Sequence, residues 1–211
     1  MTNFNVNATL FARVANAQSN ELTRYYLGGV SIEPAPHGLP GVTLTATDGI
    51  VLVSAYDAQG SVDAPIIVKA SPHVLKACKP WRNGTEPHLI GTDGTIAVID
   101  DKGDEQLARG TTVDGSFPDW RRVTPQDTGT HTAAVFAPAI LATLAKALLT
   151  GKDAKGGLIL RGVDDTSPHL VWGDDERLIG VAMPIRAQDH RAVLPQWASR
   201  TLPGKLLGET A

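Results

Sequence analysis

Three stretches of this chain carry the same apolar triplet. Leu10, Phe11 and Val14, then Val74, Leu75 and Cys78, then Ile140, Leu141 and Leu144 each sit at positions i, i+1 and i+4. That spacing gathers them on one side of a helix with 3.6 residues per turn. The copies start 64 and 66 residues apart. Each is preceded by a short strand-like run: Asn5–Ala8, Pro65–Lys69 and Ala133–Phe136. Such a period predicts one structural unit used three times, with neighbouring units burying each other's apolar faces.

Between the helices the pattern changes to strands and turns. Val42–Ala46, Ile50–Ala55, His88–Ile90, Ile96–Ile99, Leu158–Arg161, His169–Trp172 and Leu178–Met183 read as strands. Asp48-Gly49, Asp93-Gly94 and Lys102-Gly103-Asp104 punctuate them as turns. One helix followed by several antiparallel strands, repeated, predicts an α+β fold rather than a doubly wound one.

Hydrophobic residues make up 42% of the 211 residues, enough for a sizeable core. The formal net charge of −3 argues against a globally basic nucleic-acid binder, so any such surface has to arise by segregation of charge. One cysteine, Cys78, excludes an internal disulfide and fits a reducing cytoplasm. The first residues lack the layout of a signal peptide, and no apolar run approaches membrane-spanning length.

Catalysis finds little support. His73, His88, His131, His169 and His190 show no metal-ligand spacing, and there is no nucleophile elbow, phosphate loop or dinucleotide fingerprint. Cys78 lies within an apolar triplet and reads as core. A non-enzymatic protein without cofactor or metal is expected.

Cations gather around the helices. Lys69, Lys76, Lys79 and Arg82 bracket the second with no acid between them, and His73 and Lys76 lie opposite its triplet. Lys146 lies opposite the third triplet, with Lys152 and Lys155 beyond. Arg13 and Asn16 flank the first on its polar side. Asp100, Asp101, Asp104 and Glu105 cluster elsewhere. Cationic helix faces suit sequence-independent contact with phosphates; ordinary solvated faces are the alternative.

Phe117-Pro118-Asp119-Trp120-Arg121-Arg122-Val123 reads locally as a turn leading into a half-buried strand. It also resembles a signature of the bacterial DNA sliding clamp, the β subunit of DNA polymerase III. Three further stretches resemble clamp motifs in the family's order: Thr23-Arg24-Tyr25-Tyr26-Leu27-Gly28-Gly29-Val30, Ala46-Thr47-Asp48-Gly49 and Val181-Ala182-Met183-Pro184-Ile185-Arg186. The resemblance implies a shortened clamp. Residues 1–125 correspond to the family's middle domain, 126–186 to the second half of its last domain, and 187–211 form a tail extension.

The resemblance further implies two sites. Duplex DNA would meet Arg24, Tyr25 and Tyr26, together with the helix cations Arg13, Lys76, Lys79, Arg82, Lys146 and Lys152, through contacts that position without reading sequence. Glu21, just upstream, is expected to weaken phosphate contact. Peptides of polymerases, clamp loaders and repair proteins would enter an apolar pocket. Its residues are Leu27, Thr47, Gly49, Leu52, Pro118, Arg122, Val123, Val181, Met183, Pro184 and Arg186. Ile50-Val51 stands where many clamps carry His-Arg, which would alter partner preference.

The tail carries Leu194-Pro195-Gln196-Trp197 and Leu206-Leu207, and folding back into the pocket is one expectation for it. A homo-oligomer is expected, since a twelve-unit ring takes four chains of three units. The rival expectation is a clamp-derived peptide-binding module that does not encircle DNA.

Overall fold

The structure is a computed structural model. It describes residues 2–69, 71–80, 84–92, 95–99, 105–108, 110–126, 134–150 and 156–186. The first unit comprises β1 (Phe4–Asn7), α1 (Ala8–Val14), β2 (Val30–Pro34), β3 (Val42–Thr47), β4 (Val51–Asp57) and β5 (Ser61–Val62). The second comprises β6 (Ile66–Lys69), α2 (Pro72–Ala77), β7 (His88–Thr92), β8 (Thr95–Ile99), β9 (Glu105–Ala108) and β10 (Thr111–Val113). The third comprises α3 (Pro138–Leu148), β11 (Ile159–Arg161), β12 (His169–Trp172) and β13 (Leu178–Ala182).

The strands form two antiparallel sheets. One runs β5-β1-β7-β8-β9, the other β10-β6-β2-β3-β4-β13-β12-β11. The third unit therefore joins the first edge to edge, with Val181 opposite Leu52 and Gly180 opposite Val53. The architecture is the α+β arrangement expected from the repeat.

Local chemistry accounts for the elements. The Asn7 side chain caps α1 by accepting from the Leu10 N–H at 2.9 Å, and Ser71 caps α2 by accepting from Val74. Pro72 and Pro138 open α2 and α3, where a missing N–H costs nothing. In the β3–β4 turn Asp48 Oδ1 accepts from the N–H groups of Ile50 and Val51, both at 2.8 Å. Gly49 supplies the positive φ of +93° that this turn requires.

One core cluster runs through all three units. It holds Leu10, Phe11 and Val14 of the first triplet, Val74 and Cys78 of the second, and Ile140 and Leu144 of the third. Leu75 packs at its margin, and Leu141 is partly buried. α1 packs on β3 and β4, and α3 on β4 and β13. Gly180 allows the latter approach, because a Cβ there would stand 2.6 Å from Leu144 Cδ2. Burial pushes the Cys78 thiol up to about 12. The thiolate is the reactive form, so Cys78 is expected to stay inert to a thiol-selective reagent at neutral pH and react stoichiometrically in denaturant.

A polar chain crosses all three units. Asn7 donates its side-chain amide to Glu86 Oε2 at 2.7 Å, and Arg177 donates to both Glu86 oxygens at 2.9 and 3.2 Å. Arg177 also binds Asp175, which accepts from Arg13 at 2.5 Å. Arg13 Nε completes the chain by donating to the Ala147 carbonyl of α3 at 2.7 Å.

Hydrogen bonds from Arg177 hold the Glu86 carboxyl below its usual range. Burial pulls Asp175 upward, but the Arg177 hydrogen bonds and the Arg13 and Arg177 charges outweigh it, and its pKa also falls. Folded-state pKa values below unfolded ones, which lie at about 4, mean stability that is present at neutral pH and lost as pH falls through the folded values. Melting temperature is therefore expected to drop below about pH 4, and less steeply in Glu86→Gln.

Three expectations are corrected. Residues 134–136 of the expected strand Ala133–Phe136 are not in a strand; among the described residues they lack the second flanking strand that stabilises β1 and β6. Trp120–Val123 forms a short 3₁₀ turn rather than a half-buried strand, with Arg122 N–H donating to the Asp119 carbonyl at 3.3 Å. β2 was not expected, because Gly28-Gly29 before it and Pro34 at its end read as loop; pairing on both sides to β3 and β6 overrides those breakers. The two-residue β5 and polar β9 were also missed.

Candidate functional site

Strand alternation gives the eight-stranded sheet two different faces. Val51, Val53, Ala55, Val171, Leu178 and Ala182 point to the helices and the main core. On the opposite, outer face Leu52, Leu170 and Val181 form a second apolar cluster, with Trp120, Trp172 and Ile179 packed against it. Leu52 lies opposite Val181 across the β4–β13 pairing, and Leu170 opposite Val181 across β12–β13. The cluster thus straddles the seam between the first and third units.

Trp120 reaches this face from the 3₁₀ turn after β10. Its indole N–H donates to Glu33 Oε1 at 2.9 Å, and the same oxygen accepts from Arg121 at 2.9 Å and from the Thr43 hydroxyl at 3.1 Å. The Arg121 guanidinium lies 4.5 Å from the centre of the Trp120 ring. Glu33 therefore anchors both side chains over β2 and β3, leaving Trp120 packed against the outer-face cluster. Arg122, Arg161 and Arg186 are exposed. Arg161 shares the outer face, opposite Leu170. Apolar residues with arginines at the rim suit an amphipathic peptide, burying its side chains and meeting its acidic groups.

The structure gathers part of the expected pocket. Thr47 pairs with Leu52, the Thr47 hydroxyl donates to the Val51 carbonyl at 2.7 Å, and Met183 N–H donates to the Ile50 carbonyl at 3.0 Å. Gly49 lies at the same end. Pro118, Arg122 and Val123 are exposed on the segment that carries Trp120. Pro184 is partly buried beyond β13. Leu27 is buried but belongs to neither cluster. Trp120, Leu170, Trp172 and Ile179 were missed. For the last three, the unbroken apolar runs Leu170-Val171-Trp172 and Leu178-Ile179 were the available signal, since consecutive apolar residues in a strand leave apolar side chains on both faces.

The expected DNA contacts separate. Lys76, Lys79 and Lys146 are exposed on or beside α2 and α3. Arg13 is corrected: its side chain is 11% exposed and committed to Asp175 and Ala147, so it is not available to phosphate. Arg24 lies 3.5 Å from Glu21, and its guanidinium sits over the Gly49 turn. Tyr25 is exposed and Tyr26 partly buried against it, with ring centres 5.8 Å apart. Arg82 and Lys152 lie outside the described residues, as do Lys155 and the tail 187–211.

Among the described residues no group of three or more His, Cys, Asp and Glu is placed to hold a metal, and no helix is long and apolar enough to cross a membrane.

No family model and no curated protein matches the sequence. Solved structures do. A DnaN sliding clamp (DNA polymerase III subunit beta) from Bartonella birtlesii, bound to griselimycin, superposes with a TM-score of 0.64 at 16% identity, over 88% of this chain and 66% of that one. The Helicobacter pylori beta clamp bound to a DNA ligase peptide gives 0.62 at 13% identity, over 88% and 66%. A Pseudomonas aeruginosa DnaN clamp gives 0.60 at 16% identity, over 88% and 65%. The chain thus has the fold of a bacterial DNA sliding clamp, in a shortened form that spans about 66% of those clamps' length.

Proposed function

We propose that this chain is a non-catalytic sliding-clamp-like accessory protein that captures peptides of replication or repair proteins and holds duplex DNA without reading its sequence. The observation that carries the reading is the outer-face cluster at the seam of two units, where Leu52, Leu170 and Val181 meet Trp120 and Trp172. An apolar face with aromatic walls and arginines at its rim recognises short amphipathic segments. The Helicobacter pylori clamp of the same fold is bound to a DNA ligase peptide, which supports a ligase, polymerase or clamp-loader peptide as the occupant here. Duplex contact would fall to Lys76, Lys79 and Lys146, with Arg24, Tyr25 and Tyr26 contributing from their loop.

A second reading is favoured by one observation. Arg13 is consumed within the fold, which weakens the cationic helix face and suits a peptide-binding module that does not encircle DNA. Retention on nicked circular plasmid separates the two. Protein held on the circle and released on linearising it supports encirclement; peptide binding without retention supports the module. For non-specific duplex binding, each exposed lysine that meets a phosphate contributes about 0.9 to the slope of log affinity against log salt. The Lys76→Gln, Lys146→Gln double variant is expected to flatten that slope by nearly twice this amount.

A further inference from the structure

The first two units complete each other by exchanging a strand. β1, the strand before α1, does not join its own unit's β2-β3-β4 meander; it pairs with β7, the first meander strand of the second unit. β6, the strand before α2, reciprocates by pairing with β2. Each exchanged strand is flanked on its other edge by a short extension that follows its own unit's last meander strand, β5 on β1 and β10 on β6. The two sheets therefore begin alike, β5-β1-β7-β8-β9 and β10-β6-β2-β3-β4.

The third unit has every part of this device except the partner. Residues 134–136 precede α3 as β1 and β6 precede α1 and α2. Their extension edge is already made: Ile185, just beyond β13, donates its N–H to the Val135 carbonyl at 2.8 Å. Among the described residues their exchange edge carries no strand. The acceptor is also present, since β11 is the first strand of the β11-β12-β13 meander and, among the described residues, the last strand at that end of the eight-stranded sheet.

Donor and acceptor do not meet within the chain, because Ile185 holds the donor beyond β13 while β11 lies two strands away from β13. Only residues 127–133 separate the first two units from the donor, too few for another unit. Apolar side chains mark both parts: Val135 is 42% exposed, Ile159 on β11 54% exposed, and Phe136 only partly buried. An edge of this kind is a template for another chain.

We propose that two copies of this chain pair about a two-fold axis through their third units. Residues 134–136 of each form an antiparallel strand on β11 of the other. Every group needed is donated and accepted reciprocally, which is the condition for a closed isologous interface. The sense is antiparallel because both exchanges within the chain are antiparallel. This pairing does not depend on DNA or peptide binding, and it builds from two third units the same two-unit body that the first two units form.

Sedimentation equilibrium of the full chain, from low micromolar to near-millimolar concentration, is expected to show twice the 22.3 kDa chain mass or an even multiple of it. Amide exchange at 134–136 and 159–161 should slow in step with the mass. Successive N–H groups of a strand point to opposite edges, so one of Ile159→Pro and Leu160→Pro removes a donor from the open edge alone. That variant is expected to keep its thermal transition and become a monomer. A monomer at every concentration overturns the proposal, as does an oligomer in which both segments exchange as fast as in dilute solution. The exchange measurement on the unaltered chain decides the matter even if both proline variants unfold.

Discussion

Replacing Asp175 by alanine is expected to destabilise the protein by about 3 kcal/mol, in the range found when one partner of a buried ion pair is removed. Asp175 and Arg13 are 10% and 11% exposed, so the change leaves a guanidinium at the seam with few alternatives. One nitrogen of Arg13, Nη2, is already buried without a partner among the described residues, which sharpens the penalty. For a chain of this size the loss corresponds to a fall in melting temperature of roughly 6–12 °C. Arg13→Leu with Asp175→Leu should recover much of it, because no charge is then stranded. The loss is also expected to be local. The polar chain ties α1 and α3 to the turn before β13, so amide exchange in β11–β13 should accelerate before that in β2–β4. A fall of less than one degree in Asp175→Ala would show that the pair contributes nothing to the seam.

The second large effect concerns the outer face. Trp120→Ala is expected to weaken binding of a ligase- or polymerase-derived clamp-binding peptide about 30-fold, the scale of 2 kcal/mol typical of a buried aromatic anchor. Arg121 still binds Glu33 in that variant, so the sheet beneath keeps its polar anchor. Leu52→Asp should abolish binding by placing a charge on the apolar floor. Arg122→Ala, at an exposed rim position, should cost only a few-fold. Titration by calorimetry or fluorescence anisotropy reads all three. Unchanged affinity in both Trp120→Ala and Leu52→Asp, with unchanged melting, would place peptide capture elsewhere or remove it.

The residues behind these two effects differ in how legible they are in the sequence. Leu52 and Val181 are identifiable in sequence, because the motifs around them resemble those of clamps and their strands are apolar on both faces. Trp120 sits inside the most recognisable motif of all, yet its role was invisible. The motif suggested an extended strand, and only the 3₁₀ turn together with the Glu33 anchor aims the indole at the seam. Arg13 failed in the opposite direction. Its place on the polar side of α1 pointed outward, but α3 packs there, and Asp175, 162 residues away, claims the charge.

By itself the sequence determined the repeat. The triplet spacing defines three amphipathic helices, the Val- and Thr-rich alternation defines the strands, and Asp48-Gly49 defines the β3–β4 hairpin. These are local properties, set by side-chain periodicity and turn stereochemistry within a few residues. Tertiary structure alone decided which edges meet. Strand exchange between the first two units, the β4–β13 seam and the open edge of β11 all depend on backbone hydrogen bonds, which every residue offers alike. Side-chain pattern shows that a strand exists and which way it faces, but the choice of neighbour comes from packing the whole chain around one core.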